Sequence, residues 1–162
     1  MAFVWNSEEI KDRIDDFLDP LLDYSLLDLD YEIEDGEAGS ELISPDLTVK
    51  FEGDDLDILL AHRGELLMAL EQLTLEALHI PHEDRYRLLF DANDYRIMRI
   101  EELRLSAETA AEKVKKNGRP FHFQPMTSRE RRILHLALRD IEGVTSGSEG
   151  VAPHRHTVVK PE

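Results

Sequence analysis

The 162-residue chain is 41% hydrophobic and 33% charged, with a formal net charge of −16 and no cysteine. Lack of cysteine excludes disulfides, thiol catalysis and Cys-ligated zinc. No run of 18 apolar residues occurs, so no membrane insertion is expected. The opening residues Met1 to Glu9 lack the basic leader and apolar run of a secretory signal. These features predict a cytoplasmic protein built as one ordinary domain or two small ones.

The first element expected is a helix, from Ile10, Ile14, Phe17, Leu18, Leu21 and Leu22 at helical spacing behind Ser7 as N-cap. Asp19-Pro20 predicts a kink in it, or an end and a restart. Leu27, Leu29, Tyr31 and Ile33 alternate with acids as a half-buried strand, and Asp35-Gly36 with Gly39 marks a hairpin loop. Leu47, Val49 and Phe51 form the return strand. A short apolar stretch, Leu56 to Leu60, leads into Ala61-His62-Arg63-Gly64, and a longer amphipathic run from Leu66 stops at Ile80-Pro81. Tyr86, Leu88 and Phe90 predict a third strand. Asn93 or Asp94 is expected to cap a long helix running to Gly118, through Ile97, Leu103, Ala107, Ala110, Ala111 and Val114.

The last third differs in charge. Residues 1–60 hold 3 basic and 19 acidic side chains, residues 61–112 hold 6 and 11, and residues 113–162 hold 10 and 5. Four of the seven histidines (His122, His135, His154, His156) also fall in this last, cationic segment. With screening over about 8 Å at physiological salt, a local basic face acts despite a distant acidic one. Thr127 and Glu130 form a capping box opening a helix whose apolar stripe is Ile133, Leu134, Ala137, Leu138 and Ile141. On that helix Arg131, His135 and Arg139 recur every four residues and predict an exposed row of cationic and imidazole donors. Arg132 and Arg155 extend the basic surface. The segment Ser146-Gly147-Ser148-Glu149-Gly150 reads as a loop offering hydroxyl and amide donors to a phosphate, or as a plain flexible connection. A final strand-like run follows, Arg155-His156-Thr157-Val158-Val159.

Taken together, Pro125-Met126, the Glu130-Arg131-Arg132 start, Arg131 to His135, Ser148-Glu149-Gly150 and the last strand resemble an R-three-H domain, a single-stranded nucleic-acid-binding module. The combination resembles bacterial Jag/KhpB/EloR-type proteins, which join a KH domain to an R-three-H domain, and the order α-β-β-α-α-β before it resembles a type II KH domain. The resemblance implies an α+β fold in two parts, residues 1–112 KH-like and 113–162 R-three-H, without the N-terminal domain the family usually adds. It places a KH-type turn at Ala61 to Gly64, where only Gly64 matches the family's paired glycines. That turn reads either as a phosphate-approaching corner using His62, Arg63 and Gly64 or as a bare helix–helix corner. The site expected is therefore Arg131, His135, Arg139, Arg132, Ser148 and Arg155, with His62, Arg63 and Gly64.

The function implied is non-catalytic, regulatory binding of single-stranded RNA or DNA, with a small KH protein among the partners. The other reading is an acidic protein-interaction adaptor. No catalytic residues or cofactor are expected, because no P-loop, serine elbow or His-Glu-x-x-His appears. No metal is expected either: strand alternation puts His154 and His156 on one face without a carboxylate, and His122 and His135 add none.

Overall fold

The computed structural model describes residues 3–36 and 44–162, which form two compact units, Met1–Arg96 and Ile97–Glu162. Gly39 lies outside the described residues. No helix among them is long and apolar enough to cross a membrane.

In the first unit, helix α1 (Ser7–Ser25) buries Ile10, Ile14, Leu18 and Leu22. Its N-cap is Asn6 rather than Ser7, with the Asn6 side chain accepting from the Glu9 amide. Pro20 neither ends nor restarts the helix. The carbonyl it would leave unpaired belongs to exposed Asp16, where water can serve it. Strands β1 (Asp30–Asp35) and β2 (Leu47–Glu52) pair antiparallel, Ile33 opposite Val49. Strand β3 (Leu88–Ala92) lies parallel to β2, Val49 opposite Phe90. Tyr86 is not part of β3: residues His82–Arg87 form a 3₁₀ turn, and Tyr86 is exposed. All five residues of β3 are buried, which removes the alternation a half-buried strand would show.

Helix α2 (Leu56–Ala77) is broken at Ala61 to Gly64. Ala61 is extended, and His62, Arg63 and Gly64 all take left-handed conformations. Glycine adopts that region freely, whereas a Cβ at Gly64 would also stand 2.9 Å from a Tyr95 ring carbon. Asn93 and Asp94, which precede helix α3 (Tyr95–Asn117), are both left-handed. Buried Asp91 accepts from the Arg96 amide in the first turn at 3.0 Å.

The second unit is built on α3, α4 (Ser128–Leu138) and a sheet of β4 (Phe121–His122), β5 (Val144–Glu149) and β6 (His156–Pro161), ordered β4-β6-β5 and antiparallel. Its core joins Leu103, Ala107, Ala110, Ala111 and Val114 of α3 to Ile133, Leu134 and Leu138 of α4 and to Val144 and Val159. Residues 97–112 thus pack with the C-terminal unit, because their small apolar face meets α4; the sequence expectation had grouped them with the first part. The first unit carries 7 basic and 26 acidic residues, net −19, and the second 12 and 9, net +3.

Candidate nucleic-acid interface

Helix α4 begins where Thr127 accepts from the Glu130 amide and the Glu130 carboxylate accepts from the Thr127 amide at 3.0 Å. Glu130 is only 7% exposed and also receives the Arg99 guanidinium at 2.9 Å. This anchor fixes the rotation of α4, so that Ile133, Leu134 and Leu138 enter the core and Arg131 and His135 lean over β5. Arg131 and His135 are half-buried rather than standing out as an exposed row.

Ser146 and Ser148, two apart on β5, share the face beneath them. Arg131 Nη1 donates to Ser148 Oγ at 3.0 Å; His135 Nε2 lies 2.9 Å from the same oxygen, and His135 Nδ1 lies 2.8 Å from Ser146 Oγ. Burial, followed by the Arg131 charge, holds the His135 imidazole below its ordinary value, so the ring is neutral at pH 7. A neutral ring has one N–H and one lone pair. Either tautomer satisfies all three contacts: Ser148 accepts from Arg131 and donates to Nε2 while Nδ1 donates to Ser146, or Ser148 accepts from both Arg131 and Nε2 while Ser146 donates to Nδ1. Burial and nearby Arg155 also lower the Arg131 value, and the buried Arg131 Nε has no partner among the described residues. The site therefore concentrates positive potential where water is scarce.

The segment expected as a loop at 146–150 is mostly strand. Residues 144–149 pair with β6, Ser148 opposite Thr157 and Ser146 opposite Val159. Arg155 donates to the Gly150 carbonyl at 3.2 Å. Arg139, the C-cap of α4, keeps helical backbone angles; it is exposed, with Asp140 at 3.4 Å. Arg132 is exposed. Ser146 is the contact that sequence reasoning passed over, although a Ser-x-Ser spacing puts both hydroxyls on one face of any strand. His154 and His156 also divide: His154 offers its carbonyl, and the carboxylate facing His156 is Glu149, supplied by the neighbouring strand.

In the first unit, Ala61, His62 and Arg63 are exposed at the break in α2 and Gly64 is buried. Tyr95 donates its hydroxyl to the Arg63 carbonyl and holds the corner. A groove of about 600 Å³ beside it is lined by Ile58, Ala61, Leu66 and Ala69, with the carboxylates of Asp57 and Glu65.

Comparison with known proteins bears on the second unit first: residues 101–161 match the R-three-H domain family. The chain carries an R-three-H domain. It is also homologous to the KhpB (Jag) proteins. "RNA-binding protein KhpB" of Clostridium symbiosum is 32% identical over 152 residues, covering 94% of this chain and 66% of that protein. The protein of the same name from Streptococcus pneumoniae is 34% identical over 104 residues, 64% of this chain and 32% of its own length. That of Bacillus subtilis is 33% identical over 109 residues, 66% and 52%. The chain thus spans roughly one third to two thirds of the length of these relatives. Arg131 and His135, four residues apart on α4, lie within the matched span.

Proposed function

We propose that this chain is a non-catalytic, cytoplasmic protein that binds single-stranded RNA through its R-three-H unit. The observation that carries the proposal is the Arg131–Ser148–His135–Ser146 network: two half-buried donors held at fixed orientation beside Arg155. Such a group suits a phosphate against the guanidinium and a base against the imidazole. RNA is preferred over DNA on the printed names of the relatives. Arg132 and Arg139 supply outer charge.

The first unit we read as a type II KH-like domain, on its α-β-β-α-turn-α-β order and the corner at Ala61 to Gly64. His62, Arg63 and Gly64 are its candidate contacts, and a small KH protein is the partner class the reading implies. One observation favours an adaptor role for this unit: its net −19, with Asp57 and Glu65 beside the corner, opposes a polyanion.

Fluorescence anisotropy with the full chain and a short labelled RNA, or its DNA counterpart, tests the proposal. Arg131→Ala should weaken RNA binding by about 1–3 kcal/mol, the worth of one charged or stacked contact. Unchanged affinity in a folded variant rejects the site. Absence of RNA binding in the wild type, together with recovery of a basic protein partner, favours the adaptor.

A further inference from the structure

The opposite face of the second sheet holds a separate cluster. Glu149 on β5 lies directly opposite His156 on β6, and His122 on β4 lies opposite Val158, two residues along β6. Side chains alternate along a strand, so His122, Glu149 and His156 share one face while Ser146 and Ser148 take the other, under α4. Nδ1 of His122 and Nε2 of His156 stand 3.3 Å apart, and a ring nitrogen of each histidine and a Glu149 carboxylate oxygen all lie within 4.8 Å of one another.

We propose that His122, His156 and Glu149 form a divalent metal site on this sheet, suited to zinc. Two imidazole nitrogens and one carboxylate oxygen make a donor set that zinc accepts, with about 2.0–2.2 Å bonds in tetrahedral geometry. Bonds of that length place neighbouring ligand atoms about 3.3–3.6 Å apart. The two imidazole nitrogens already stand at that separation. The second observation concerns the other ring nitrogen of His156, whose Nδ1 meets the backbone carbonyl of His154 at 3.1 Å. A carbonyl can only accept, so Nδ1 carries the hydrogen and Nε2 presents a lone pair that accepts from His122 Nδ1; a metal would take the place of that hydrogen, with the His122 N–H moving to its Nε2. Metal-binding histidines are commonly oriented by such a bond from the distal N–H to a carbonyl.

Glu149 is held by Lys160 at 2.7 Å and must exchange that ion pair for the metal. Both side chains are substantially exposed, so the exchange is cheap. Three protein ligands leave the fourth position to water. The ligands come from all three strands, so the metal would tie the two-residue β4 to β6 and β5.

Isothermal titration of the metal-stripped full chain with zinc chloride tests the site, beside His122→Ala, His156→Ala, Glu149→Gln and His154→Ala. Wild type should bind one zinc and melt at a higher temperature with it. Either His122→Ala or His156→Ala should weaken binding by more than about 100-fold, beyond the roughly 10–100-fold of losing an outer partner. Glu149→Gln should cost about tenfold, since a neutral amide oxygen is the weaker donor. His154→Ala should bind as wild type does, because the backbone carbonyl remains. Circular dichroism of the metal-free variants checks that each is folded. Absence of one-to-one zinc binding overturns the proposal, as does zinc binding that survives both single histidine replacements.

Discussion

Ser148→Ala removes one oxygen and two contacts, the bond from Arg131 Nη1 at 3.0 Å and the contact with His135 Nε2 at 2.9 Å. A hydrogen bond to a charged group is worth about 1.5–3 kcal/mol and a neutral one about 0.5–1.5 kcal/mol. Both partners are half-buried, so water recovers part of this, and a loss of about 1–3 kcal/mol is expected. The affected unit, Ile97–Glu162, falls in the size range where 1 kcal/mol moves the melting temperature by about 4–8 °C. Trp5 and all four tyrosines precede residue 97, so intrinsic fluorescence reports the first unit and the loss must be read by scanning calorimetry. Ser146→Ala, which removes a single contact, should cost less, and Ser148→Thr, which keeps the hydroxyl, less still. A Ser148→Ala transition within about 2 °C of wild type, or a larger loss in Ser146→Ala, would refute the network as a structural unit.

Glu130→Ala should destabilise the second unit by about 3–5 kcal/mol, because it leaves the Arg99 charge partly buried without this partner and opens the capping box; denaturant titration measures it. Gly64→Ala should cost about 1–3 kcal/mol in a melt followed by Trp5 fluorescence, since a left-handed alanine is strained and its methyl would displace the Tyr95 ring from the Arg63 carbonyl. The folded chain holds the His135 value below about 6.5, its unfolded value, so the unfolded state binds more protons as the pH falls. Stability contributed by neutral His135 is therefore complete above that value and lost as the pH drops through it. His135→Gln should flatten the melting temperature between pH 7.5 and 5.5, and an unchanged slope would contradict the assigned neutral ring.

How far the sequence could be read differs between α4 and β5. The start of α4 was legible because a capping box is a contact between residues three apart, and the stripe Ile133, Leu134, Leu138 reports burial by spacing alone. Strand β5 was not, because Ser146, Gly147 and Ser148 are poor strand formers by themselves. Their conformation is imposed by β6, where Thr157, Val158 and Val159 are all fully buried and supply the pairing. Misreading β5 as a loop carried a second error with it. Without the strand, nothing lay over which Arg131 and His135 could fold, so they read as an exposed row. The break in α2 was visible from Gly64, but not that His62 and Arg63 would share its left-handed backbone. His122, Glu149 and His156 are brought together only by register, which no local spacing encodes.

The net charge of −16 says little about what the second unit can hold, because that unit taken by itself carries a net +3. What counts on the proposed reading is charge placed where water is scarce. The Arg131 guanidinium is already stripped of part of its hydration, and an anion brought against it gains more than it would beside an exposed lysine. His135 adds no charge at pH 7. It adds a ring whose tilt is fixed by Ser146 and Ser148 before any ligand arrives, which lowers the ordering cost of binding. A few preset contacts fit a short single strand, whose phosphates and bases can adjust to them one by one. A duplex presents phosphates in two rigid rows and calls for a broader basic face than Arg131 and Arg155, with Arg132 and Arg139 outside them, provide.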